Sequence, residues 1–112
     1  KIGAILIWLV GILMIASAII KFIGPQEIIA EFTNWRLIDY IFLIGAIELI
    51  IGAALLFPPA RKVASFLTAS YFGGAIATHL AANEIPQVLL PSSFLAALFI
   101  ALLLINPKTL FK

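Results

Sequence analysis

The chain has 112 residues, of which 64% are hydrophobic and 11% charged, against the roughly 45–50% apolar content usual for a soluble domain. That excludes a water-soluble globule, and a net charge of +2 is too small an excess to mark a nucleic-acid binder, so anionic lipid headgroups are the better counterpart for the basic residues. Cysteine is absent, which excludes a disulfide relay, a thiol nucleophile and a cysteine-ligated metal.

The charges divide the sequence into apolar runs of bilayer length. The first, residues 2–20, lies uncharged between Lys1 and Lys21; at about 1.5 Å per residue it reaches roughly 28 Å, enough to cross a hydrocarbon core. Ala16-Ser17-Ala18 has the small-x-small look of a leader cleavage site, but three further apolar runs follow where a soluble mature domain would begin. The run is therefore read as a span. Because the sequence opens on Lys1 and not on methionine, a longer native N-terminus is expected.

Between Gly24 and Arg36, Pro25 can open a helix, Glu27 sits in its first turn, and Ile28, Ile29 and Phe32 share one side. This predicts a short interfacial helix, with an ordinary loop as the alternative. Trp35, and Trp8 near the other face, suit the headgroup level.

The second run, residues 37–57, carries Asp39 near its start and Glu48 near its middle, and stops at Pro58-Pro59. The turn Ala60-Arg61-Lys62 is short, so the third run, residues 63–82, must return beside the second as an antiparallel hairpin. Asn83, Glu84 and Pro86 close it. The last run, residues 87–105, holds Pro91, which either kinks a full-length helix or leaves Val88 to Leu90 as a bent entry to a helix from Ser92. Asn106-Pro107 ends it ahead of a basic tail, Lys108 and Lys112. The expected fold is all-α: an integral membrane four-helix bundle, antiparallel, in one transmembrane domain of residues 1–112. Lys1, Arg61, Lys62, Lys108 and Lys112 fall on one side, whereas Lys21 and Arg36 share the other with Glu27, Glu31, Asp39 and Glu84. Both termini are thus expected in the cytoplasm.

An ionisable group in the hydrocarbon costs on the order of 2.5–3.5 kcal/mol, so it persists where packing or function holds it. Glu48 lies about ten residues from either end of its run, beyond the reach of water, and must face protein. Gly45 and Gly52 lie near its azimuth and let a neighbouring helix approach. A structural hydrogen bond to a Ser, Thr or Tyr is the plain alternative to a functional carboxylate. His79 shares a polar stripe with Thr68, Tyr71, Ala75 and Thr78, while Ala69, Gly73, Ala77 and Ala81 form a small-residue ridge on another side. A lone histidine is more often a satisfied side chain than a ligand. Lys21 ends the first run on the same outer side, one turn beyond Ser17, where snorkelling is the simple account. A pocket opening outward would be lined by Lys21, Glu48 and His79 as catalytic candidates, with Ser17, Tyr71 and Thr78 as binding groups and with Glu84, Asn83 and Asp39 at its mouth. No phosphate loop or nucleophile elbow occurs, and a single histidine makes a metal site unexpected.

Lys21 with Gly24 and Pro25, Glu48 with Leu49 and Gly52, the run Gly74, Ala75, Thr78 and His79, and Pro91 before the last helix occur in an order that resembles the DoxX-like family of small four-helix bacterial membrane proteins. The resemblance covers nearly the whole chain and implies a place in the bacterial cytoplasmic membrane. It also implies a redox-associated role, since some members resemble small subunits of a thiosulfate-to-quinone oxidoreductase and others pair with oxidative-stress enzymes. Lys21, Glu48 and His79 are the positions it carries over, and the missing cysteines set aside any thiol-linked role. Three functions follow as expectations: a quinone-linked redox or accessory subunit, with quinone as its cofactor; a non-catalytic assembly partner; and a proton-coupled small-molecule transporter. Besides the lipid bilayer, a membrane-protein partner or a second copy of the chain is expected, with Ser93, Ala97 and Ala101 of the last helix offered to it.

Overall fold

The structure, a computed structural model, describes residues 2–105; Lys1, the Asn106-Pro107 stop and the basic tail of Lys108 and Lys112 lie outside them. Five α-helices carry the fold: α1 (Ile2–Ile23), α2 (Gln26–Asn34), α3 (Ile41–Leu56), α4 (Arg61–Ala81) and α5 (Leu89–Ile105). No strand occurs among the described residues.

The boundaries have local causes. Lys21 lies in the last turn of α1; the helix stops at Gly24, whose φ of 70° is the left-handed cap glycine adopts without a Cβ penalty. The predicted interfacial helix is α2. Residues 38–40 form a 3-10 turn, so α3 starts at Ile41, later than the run from Leu37 suggested. The Pro58–Ala60 turn brings Arg61 and Lys62 into α4. Pro91 falls in the first turn of α5, where the N–H that proline lacks has no partner to lose, so neither the kink nor a start at Ser92 is needed.

α1 packs along α3 and α5, and α4 along α3 and α5, so contacts run around all four long helices. The closest approach is between α1 and α3: a Cβ on Gly11 would stand 2.9 Å from the Gly52 carbonyl oxygen, and one on Gly52 equally close to that of Gly11. A tight core of Ile7, Met14, Leu55, Ala64, Phe72 and Leu98 fills the half nearer the Pro58–Ala60 turn. Ala101 is fully buried there and Ala97 packs against the same core, whereas Ser93, the third residue offered to a partner, is exposed.

The outer surface is oily: Ile5, Ile50, Phe66, Leu89 and Leu104 are each more than half exposed, an arrangement that hydrocarbon solvates and water does not. Three segments are long and apolar enough to cross a membrane, Ile2–Ile23, Ile38–Leu56 and Ile85–Leu104. α4 matches them with 21 residues, but its serines, threonines, Tyr71 and His79 make it less apolar, and it is not among the three.

Candidate functional site

Beyond the core, with Met14 and Phe72 shared between them, lies an open-sided cavity of about 600 Å³. Ser17, Lys21, Glu48, Tyr71, Thr78 and His79 all line it. They do not form one cluster, however, but two.

The inner group is an ion pair. Lys21 Nζ lies 2.7 Å from Glu48 Oε1 and donates a second hydrogen bond, 2.8 Å long, to Ser17 Oγ one turn back on α1. Both side chains are sequestered, at 11% and 4% exposure, so Lys21 turns in to the carboxylate instead of snorkelling. The pairing follows from the glycines. Gly45 packs on Lys21 Cβ and the Ala18 carbonyl, and Gly52 on Gly11 and Met14, which brings α1 close enough for a lysine to span the gap. Glu48 is thus paired with a cation, and the Tyr71 hydroxyl of α4 donates to the same carboxyl, as the plain alternative supposed for a tyrosine. The Phe32 ring of α2 stands 6.0 Å from the ammonium, within reach of a weak cation–π attraction.

The outer group is built on two helix ends. Asn83 takes φ 62°, a conformation asparagine tolerates better than most residues, and the Glu84 N–H donates to the His79 carbonyl at 2.7 Å while the Asn83 N–H donates to that of Leu80 at 3.1 Å. This is a Schellman cap. It folds the chain back so that Glu84 Oε1 meets His79 Nδ1 at 2.8 Å. α2 ends in the same motif at Arg36, φ 60°, with Leu37 N–H donating to Phe32 and Arg36 N–H to Thr33. Trp35, just before that cap, donates Nε1–H to the same Glu84 oxygen at 3.0 Å and meets the His79 ring edge-on at 5.2 Å. The bond to His79, and then the one from Trp35, hold the Glu84 carboxyl below its usual range. An ionised carboxylate only accepts, so Nδ1 carries the proton of this bond and Nε2 points away from it.

Sequence reasoning found Glu84 but placed it only at the mouth, with Asn83 and Asp39. Asn83 is the helix cap, and none of Glu84, Asn83 and Asp39 lines the cavity itself; Glu84 reaches it through its bonds to His79 and Trp35. Also missed was the wall formed by Ile28, Glu31 and Phe32 of α2 with Trp35 at its C-cap and, beyond α4, Gln87 of the 3-10 turn before α5 and Phe94 of α5. The signal for the α2 wall was present: residues 28, 31, 32 and 35 follow helical spacing, whereas Ile29, assigned to that face, is exposed. The Thr78 hydroxyl donates to the Gly74 carbonyl at 2.8 Å, which leaves only its acceptor side for a ligand. No group of three His, Cys, Asp or Glu side chains among the described residues is placed to hold a metal.

A family model described as the DoxX-like family matches residues 5–101, a stretch that begins in α1, ends in α5 and holds every residue of both groups. The chain belongs to the DoxX-like family. No curated protein and no solved structure matches it. Within this DoxX-like chain the six cavity residues predicted from sequence come from α1, α3 and α4.

Proposed function

We propose that this DoxX-like protein is a quinone-binding, redox-associated subunit of the bacterial cytoplasmic membrane. Its four long helices cross the bilayer as an antiparallel bundle, one transmembrane domain with both termini in the cytoplasm. The observation that carries the reading is the cavity, which combines apolar walls with a sequestered Lys21–Glu48 pair at one place and a Glu84-oriented histidine at another.

A quinone headgroup fits this donor set, and when bound it supplies two-electron, two-proton chemistry whose electrons come from a partner or substrate. Lys21 spends two N–H groups on Ser17 and Glu48 and has a third for a carbonyl oxygen. Glu48, held in place by its ion pair with Lys21, would exchange a proton with the bound head. His79 accepts a proton at Nε2, and Glu84 stabilises the resulting imidazolium. The apolar walls, with Phe32 and Trp35 of α2 laid across the outer end, keep bulk water away.

Glu48→Gln keeps the shape of the side chain and removes its charge. The expected result is a protein that still inserts, binds quinone about tenfold or more weakly because the ion pair that positions Lys21 is lost, and fails to support quinone-dependent turnover in membranes. Unchanged binding and turnover would reject the proposal.

A second reading, a non-catalytic assembly partner, is favoured by α4: Gly73, Ala77 and Ala81 are exposed, and a Cβ on Gly73 would touch nothing within 4 Å. Such a ridge suits close helix packing. Purification in mild detergent from native expression should then yield a stoichiometric second polypeptide, and a lone monomer would count against it.

A further inference from the structure

We infer that the cavity is filled from the bilayer and not from water, by a tailed amphiphile whose polar head rests at Lys21, Glu48 and Tyr71 and whose apolar tail leaves through the flank of α4 at Ser70 and Gly74. The inference rests on the proposed function for the chemistry of the head and goes beyond it in the route and the tail.

The wall is thinnest on that flank. Ser70 and Gly74 line the cavity and are nevertheless exposed, and a Cβ built on Gly74 meets no atom within 4 Å. Leu13 and Leu90 also line the cavity and are exposed, at 39% and 64%, but their branched side chains fill the wall where they stand. On α4 a hydroxymethyl and a bare hydrogen leave it open.

Depth decides what enters. Ser70 lies near the midpoint of the 21-residue α4 and Gly74 about one turn nearer Ala81, so the opening is roughly 10–17 Å from that helix end. In a spanning helix this is hydrocarbon, and the neighbour of the gap is an acyl chain. The end that faces water is instead covered by α2, tied down by the Trp35–Glu84 hydrogen bond across 49 residues of chain. A molecule with its head in the cavity and its tail among lipids meets apolar surface along its whole length, with charge only at the head.

The test uses the intact protein in phospholipid nanodiscs with Trp8→Phe, so that Trp35 on the cavity wall reports occupancy by fluorescence quenching. A decyl-tailed benzoquinone and the same ring without a tail are titrated against Gly74→Phe and, as an independent plug, Ser70→Phe. Either plug should weaken the tailed compound by about tenfold or more and the tail-less one by less than about twofold, whereas Glu48→Gln should weaken both. Plugs that affect the two compounds equally, or neither, overturn the lateral route while leaving quinone binding in place. If neither compound quenches the unplugged protein, the quinone reading fails, and the route is judged with a long-chain nitroxide-labelled alcohol: quenching lost in both plugs supports it, and quenching absent or unchanged overturns it.

Discussion

A carboxylate and an ammonium taken out of water each cost several kcal/mol, which their mutual attraction offsets only while both are present. Lys21→Met, which leaves Glu48 alone at 4% side-chain exposure, should therefore destabilise the fold by about 3–5 kcal/mol, whereas Lys21→Met with Glu48→Leu should return most of that loss. Unfolding by SDS titration followed by circular dichroism measures both; a double variant as unstable as the single one would mean that the pair is not coupled. The outer pair answers to acid. The Glu84 carboxyl is held low in the folded state by His79 and Trp35, so its contribution is complete above the ordinary carboxylate range and is lost as pH falls through the lowered folded value. Emission from Trp35, whose indole N–H donates to that carboxylate, should shift in that window, and Glu84→Gln should remove the transition. A transition unaffected by Glu84→Gln would assign it elsewhere. Glu48's inward direction could be read from the sequence because depth alone dictates it. The identity of its partner could not, since a lysine at a helix end reaches either water or the interior and only the α1–α3 distance selects between them.

Helix termini and helix contacts position these groups. Glu84 reaches His79 because the α4 cap reverses the chain over five residues, and nothing in apolar periodicity signals a Schellman turn built on asparagine; hence the sequence placed Glu84 at the mouth but not on the ring. The α2 wall was half legible, since its helix was predicted but its face was centred on Ile28, Ile29 and Phe32 instead of on Phe32 and Trp35. The α1–α3 contact yields a graded prediction. A Cβ at position 52 would lie 2.9 Å from a carbonyl oxygen, at position 45 no nearer than 3.4 Å to anything, and at position 74 near nothing. Gly52→Ala must therefore push the helices apart, at a cost of about 1–3 kcal/mol, and loosen the Lys21–Glu48 pair with them. Gly45→Ala should cost less and Gly74→Ala nothing measurable. SDS unfolding midpoints in any other order would show that α1 and α3 do not touch where this packing requires.

At the scale of the whole molecule, the number of bilayer crossings decides on which sides the termini lie. By apolarity alone three segments qualify, which would leave the termini on opposite sides; with α4 crossing as well they share one. Two polar residues of α4, Ser65 and Thr68, argue for the crossing, because they are turned inward and satisfied there. Ser65 and Thr68 are 6% and 0% exposed, and their hydroxyls donate to the carbonyls of Arg61 and Ala64, each at 2.7 Å. The outward side instead shows Val63, Phe66, Leu67 and Leu80, which lipid accommodates. Arg61 and Lys62 at one end of α4 and Glu84 beyond the other then sort as the positive-inside rule requires, with the Pro58–Ala60 turn in the cytoplasm and the cavity in the outer half of the membrane. Reporter fusions placed after Ala60, after Asn83 and at the two termini test this directly: cytoplasmic, external, cytoplasmic and cytoplasmic signals are expected. An external C-terminus with a cytoplasmic N-terminus would mean an odd number of crossings. In that case α4 lies along the surface, Ser70 and Gly74 are no longer at hydrocarbon depth, and the lateral route into the cavity has no lipid to open onto.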